Sequence, residues 1–152
     1  MSLKETLNND IKTAMKAKDK ETLAVLRMIK TAVQAAEIDK KEELNAEEEL
    51  TILAREAKQR RESLAEFVKA GRDELVAKTE AEIEIVERYL PKQLSVEEVK
   101  EVIATVAEKI GATTQKEFGK LMGAVMQELK GKADGNVIKE QVKAHLGEST
   151  FK

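Results

Sequence analysis

A chain of 152 residues that is 37% charged, 41% hydrophobic and only 3% aromatic has the balance of amphipathic helices, since sheets favour β-branched and aromatic residues. Without cysteine it can form no disulfide, zinc–thiolate site or thiol nucleophile. Its formal net charge of −2, from 27 basic and 29 acidic residues, is not that of a strong nucleic-acid binder, so any RNA contact has to come from a local patch.

The opening stretch MSLKETLNND lacks the apolar run of a signal peptide, and nothing approaches the ~20 apolar residues of a membrane span. The expectation is a cytoplasmic protein that does not enter membranes. Ser2 and Glu5 have capping-box spacing, and Leu3, Leu7, Ile11 and Met15 then recur every fourth residue. Asp19 opens a second helix with Leu23, Leu26, Ile29 and Val33 as its stripe; the stripe fades near Asp39, and Glu37 to Glu43 reads as an exposed loop. Asn45 and Glu48 form another box, from which a helix runs through Leu50, Leu53, Ala57, Leu64 and Phe67 or Val68 to a stop at Gly71. The next helix spans about Asp73 to Tyr89, with Leu75, Val76, Ile83, Val86 and Leu90 inward, and Pro91, the only proline, ends it.

A boundary falls at Leu90–Leu94, beyond which the helices become shorter and evenly punctuated. Ser95 and Glu98 cap a stripe of Val99, Ile103, Val106 and Ile110 that stops at Gly111. Thr114 and Glu117 cap one of Phe118, Leu121, Met122, Val125 and Leu129 that stops at Gly131. Asp134 caps Ile138, Val142 and Leu146, with Gly147 as the stop and Ser149 to Lys152 as a frayed tail. The fold class is therefore all-α: an N-terminal helical bundle over residues 1–92, followed by a small C-terminal three-helix module over 93–152.

Catalytic machinery is hard to find in this composition. The only histidine, His145, sits in the last turn of the last helix, where a protonated ring complements the dipole; a triad or a histidine-based metal site needs more. Glu80, Glu84 and Glu87 share a helix face that a hard cation could visit, but such faces are ordinarily solvated, and no glycine-framed acidic loop accompanies them. No phosphate-cradling glycine loop is present. The expectation is no catalytic residue, no metal and no cofactor.

The segment GKLMGAVMQELKGKADG, residues 119–135, stands out. Gly119 and Gly123 lie one turn apart inside a helix, where each costs about 1 kcal/mol relative to alanine. Two readings account for them: a tight crossing with a neighbouring helix of the same module, or a bare face that lets a partner, an RNA backbone for instance, come close. Gly131 and Gly135 join them as close-approach positions. Six lysines accompany the segment, Lys116, Lys120, Lys130, Lys132, Lys139 and Lys143, against Glu117, Glu128, Asp134 and Glu140. They serve either as phosphate contacts, if they converge on one side, or as ordinary solvation of helix exteriors.

At this segment, and at YLPKQLSVEEV (89–99), the chain resembles the YqeY-like family. The likeness continues through GKLMGAVMQELKGKADGNVIKEQVKAHL (119–146), LRMIKTAVQAAEIDK (26–40) and the helix with Gln59, Arg60 and Arg61. That family's C-terminal module is also the tail of the B subunit of glutamyl/aspartyl-tRNA amidotransferase, where it reaches the body of the tRNA. Related modules are appended to some glutaminyl-tRNA synthetases. The resemblance implies an accessory protein that contacts folded tRNA through the six lysines, with Arg60 and Arg61 in support. Its alternative is an adaptor for a tRNA synthetase or amidotransferase. A carbon–nitrogen ligase label would come through the shared tail, because no residue here matches the amidotransferase's catalytic set. Phe118 lies on the apolar stripe, so base stacking on single strands is not expected of the module.

Overall fold

The structure, a computed structural model, describes residues 2–150. Its described residues form seven α-helices and one 3-10 turn, with no strand: α1 (Leu3–Lys16), α2 (Lys20–Lys40), α3 (Ala46–Lys69), α4 (Asp73–Glu87), α5 (Val96–Ile110), the 3-10 turn Gln115–Glu117, α6 (Phe118–Leu129) and α7 (Gly135–Thr150). The protein is all-α. It divides into two compact units, Met1–Pro91 and Lys92–Lys152.

In the first unit α2 packs against each of α1, α3 and α4, and α3 lies along α4. The stripe of α2 becomes the centre of the core, with Val25, Leu26, Ile29 and Val33 closed off by Leu7 and Ala14 of α1, Ile52, Leu53 and Ala57 of α3, and Ile85 and Val86 of α4. Ala14 occupies the position expected of Met15, which is 53% exposed. The four-residue spacing drifts around a helix of 3.6 residues per turn, so the fourth member of the series rotates out of the interface.

The exposed loop expected at 37–43 is mostly helix. α2 continues to Lys40 and is stopped by Lys41, whose φ of 65° is left-handed. Ion pairs hold the last turn where apolar residues run out: Glu37 with Lys4 at 3.1 Å, and Lys40 with Glu42 and Glu48. Glu48 also completes the capping box with Asn45. The Lys40 ammonium and the Asn45 N–H hold the Glu48 carboxyl below the usual carboxylate range.

In the second unit α5, α6 and α7 pack pairwise around Val99, Ile103, Val106, Leu121, Val125, Leu129, Ile138, Val142 and Leu146. Gly111 and Gly131 take left-handed φ values of 70° and 76° and end α5 and α6. Gly147 does not end α7, which runs on to Thr150; a Cβ at this position would meet the Gln115 side chain at 3.4 Å. His145 therefore lies before the last turn rather than in it. Ser149 and Thr150 continue the helix, while Phe151 and Lys152 of the expected tail lie outside the described residues. Thr114 and Glu117 do meet, through Thr114 Oγ1 and Glu117 Oε1 at 3.2 Å, but they close a 3-10 turn and α6 begins only at Phe118.

The Ser95–Glu98 box at the head of α5 is complete in both directions, at 3.1 and 3.2 Å. Hydrogen bonds from the Ser95 N–H and hydroxyl keep the Glu98 carboxyl below its ordinary value of 4.5. A depressed folded-state value means that this stabilisation is present above pH 4.5 and is lost as pH falls below it. Amide exchange in the first turn of α5, corrected for intrinsic rates, is expected to quicken as pH drops through that region. In Ser95→Ala the turn should exchange faster at neutral pH already.

Candidate functional site

The loop after α6 is placed by the segment that precedes α5. The Leu94 N–H donates to the Lys132 carbonyl at 2.8 Å, and Gln93 Nε2 donates to the Gly131 carbonyl at 2.7 Å. Two sequence blocks far apart in the chain, LPKQL and KGKADG, thus meet at one end of the module. Within the loop, the Lys132 N–H turns back to the Leu129 carbonyl, and Asp134 Oδ1 accepts from the Asn136 N–H at 2.7 Å to open α7. The left-handed Gly131 lets the chain reverse in so few residues.

On α6 the apolar stripe of Leu121, Val125 and Leu129 faces the core, and the opposite face carries Gly119, Lys120, Gly123 and Gln127, all exposed. A Cβ built on Gly119, Gly123 or Gly135 would meet nothing within 4 Å. The tight helix crossing that would account for the paired glycines inside the module is therefore not made by them. Only Gly147 among the helix glycines lies against a neighbouring side chain, and that neighbour is the flexible Gln115. The outer face of α6 is a bare ridge of backbone about one turn long.

The six lysines do not gather into one cluster. Lys116, Lys120, Lys132, Lys139 and Lys143 are exposed and Lys130 is half-buried. Gln115 Nε2 donates to the Lys143 carbonyl at 3.3 Å, which puts Lys116, Lys120 and Lys143 at the end where α6 begins. Lys130 and Lys132 stand at the opposite end, roughly 15 Å from Lys120 along α6 at 1.5 Å per residue, and Lys139 lies between the two groups, one turn before Lys143 on α7. The glycine ridge belongs to the first of these groups.

Arg60 and Arg61 are held elsewhere. Arg60 is buried between α3 and α4, its Nη1 2.8 Å from Glu56 Oε2 and its Nε 3.5 Å from Glu82 Oε1. That Nε is buried without a hydrogen bond. Arg61 Nη2 donates to Glu87 Oε1 at 3.0 Å. Both guanidinium groups therefore join α3 to α4, and Arg60 presents no charged surface to a phosphate. Glu82 and Glu87, the second read from the sequence as part of an acidic face, are the α4 partners that hold them. Among the described residues no three His, Cys, Asp or Glu side chains form a group suited to a metal ion. His145 is half-buried and lines a cleft of about 300 Å³ with Lys100, Ile103, Ala104, Gln141 and Ala144.

Comparison with known proteins gives these features a family. Residues 4–146 match the family described as Yqey-like protein, and the chain belongs to that family. It is similar to proteins named "Altered inheritance of mitochondria protein 41, mitochondrial" in several fungi. The Kluyveromyces lactis protein is 38% identical over 84 residues, 55% of this chain and 45% of that protein. The Pyrenophora tritici-repentis protein is 26% identical over 144 residues, 93% of this chain and 79% of the relative. The Candida glabrata protein is 28% identical over 141 residues, 91% and 75% of the two chains. These names correct the cytoplasmic expectation: the relatives are mitochondrial proteins, and the lack of an apolar opening stretch does not assign a compartment.

Two substitutions test the placement of these residues. Gly123→Ala should raise stability by about 0.5–1 kcal/mol, because an exposed helix glycine with open space gains helix propensity from a methyl group. Gly111→Ala, at a left-handed φ, should lower it by about 1–2 kcal/mol. Urea denaturation of the three proteins checks both signs. By the same measurement, Arg60→Ala should cost about 2–4 kcal/mol, since it strands Glu56 and Glu82 beside the core, whereas Arg60→Met should recover part of that loss through its retained packing.

Proposed function

We propose that this protein is a non-catalytic accessory factor that contacts folded tRNA through its C-terminal three-helix module, and that the outer face of α6 is the contact surface. The observation that carries this reading is the pair Gly119 and Gly123, exposed and with nothing within 4 Å of either absent Cβ. Each glycine costs helix stability, and no contact inside the module returns it. A partner that needs close approach to the helix backbone does return it. Lys120 lies on the same face, and Lys116 and Lys143 at the same end, so an approaching polyanion would meet cations beside the ridge. The related tail in the amidotransferase supplies tRNA as the RNA of choice.

The reading implies recognition by shape and phosphate contacts, with a salt slope set by the few lysines that reach the backbone. Anisotropy titration of bulk tRNA with the full chain at several salt concentrations tests it. Affinity should fall steeply with salt, and Lys116→Glu with Lys120→Glu should reduce it at least about tenfold with helicity unchanged; two or three lost phosphate contacts at low salt are of this order. Gly119→Ala with Gly123→Ala should stabilise the fold yet weaken binding, a combination that propensity alone does not produce. Unchanged affinity in both double variants would sink the proposal. Absence of tRNA binding, with a protein partner whose binding Gly119→Ala and Gly123→Ala weaken, would instead mark the ridge as a seat for that protein.

A further inference from the structure

A second concave site lies in the first unit. Its cleft of about 390 Å³ is lined by Thr6, Asp10, Thr13, Asp19, Arg88 and Tyr89, over a floor that includes Ala14, Ala17 and Leu26. The volume sits at the small end of the ~300–1,000 Å³ typical of ligand clefts. Pro91 stops α4, and the C-terminal turn that results sets Arg88 and Tyr89 against α1 and the start of α2. The Tyr89 hydroxyl donates to Asp10 Oδ2, a bond that closes the cleft between residues 79 apart in sequence.

The geometry points to a binding site for a small zwitterion of the free α-amino acid type, its ammonium held among Asp10, Asp19 and the threonine oxygens and its carboxylate held by Arg88. The polar groups are sorted in a way that favours this class. Asp19 accepts from the Thr22 N–H at 3.1 Å and the Thr22 hydroxyl at 2.7 Å, which holds its carboxyl below the usual range and keeps it charged. The hydroxyls of Thr6 and Thr13 donate to the carbonyls of Ser2 and Asn9, so their oxygens are left to accept. One side of the cleft is thus rich in acceptors. Arg88 is exposed, near enough to both Asp19 and Tyr89 to act on their charge, and forms no ion pair among the described residues.

Other ligand classes fit less well. An anion would meet two carboxylates, and a dication would meet the guanidinium. An apolar molecule would cover charged groups without partners, which costs more than its burial returns. A molecule with one charge of each sign on a short aliphatic frame matches the acceptors, the guanidinium and the small apolar floor together, and a planar carboxylate suits the donor fork of arginine.

The test is ligand-observed NMR and calorimetry on the full chain with free glycine, alanine, serine, glutamine, glutamate and lysine, each beside its N-acetyl and carboxamide forms. At least one free amino acid should bind saturably at millimolar concentration. Each blocked form should bind at least about tenfold more weakly, as loss of one charge-assisted contact predicts. Arg88→Gln, at an exposed position that leaves the core untouched, should impose a similar loss on the free amino acid with its helicity unchanged. Asp19→Asn should do the same while keeping an N-cap for α2. Absence of saturable binding by every free amino acid overturns the proposal. So does a complex that tolerates both blocked forms, or one that Arg88→Gln leaves intact.

Discussion

An aromatic side chain can bury 150–250 Å² at a single position, and at 3% aromatic content this chain has few such positions to use. Water must be excluded by Leu, Ile, Val and Ala, each of which covers less, so the apolar surface has to be gathered along helix stripes and closed on several sides. α2 shows the consequence. Val25, Leu26, Ile29 and Val33 are shielded only because three other helices pack on the same element. In the second unit three stripes close on one another, and Leu121, Ile138 and Leu146 become fully buried without a large ring among them. Both cores are small, and polar contacts take over at their edges.

Those edge contacts explain where the charged residues went. Arg60 and Arg61 clamp α3 to α4 through Glu56, Glu82 and Glu87, while Lys40 and Glu37 extend α2 beyond its apolar phase by pairing with Glu48 and Lys4. In a protein that is 37% charged, many ions are thus structural, and a basic residue in a family motif need not be a contact for a ligand. Arg60 makes the point most sharply. It sits in a block that carries the family likeness, and it is buried.

The second unit treats its polar groups differently. Gln93 and Leu94 tie the loop that follows α6 to the segment before α5. The outer face of α6 is uncovered at Gly119 and Gly123, which face open space. In the first unit, Asp10 and Asp19, though they bond Tyr89 and cap α2, line one cleft together with the exposed Arg88.

Much of this was legible in the residues themselves. Helix periodicity, the Asn45–Glu48 and Ser95–Glu98 boxes, Asp19, and the stops at Gly71, Gly111 and Pro91 are local signals, set by hydrogen bonds and dihedral preferences within a few residues. The family likeness was legible for the same reason, since KGKADG and LPKQL are short and contiguous. What local signals could not decide were questions answered by residues distant in sequence. Whether α2 ends near Asp39 depends on Lys4 and Glu48, and whether Gly147 stops α7 depends on Gln115. The fate of Arg60 depends on Glu82, and the meaning of Gly119 and Gly123 depends on what lies beyond each missing Cβ. Sequence determined where most of the helices begin and most of the stripes they bury. Only the tertiary structure decided which glycines and charges remain open, because openness is a property of the space around a residue and the residue alone does not carry it.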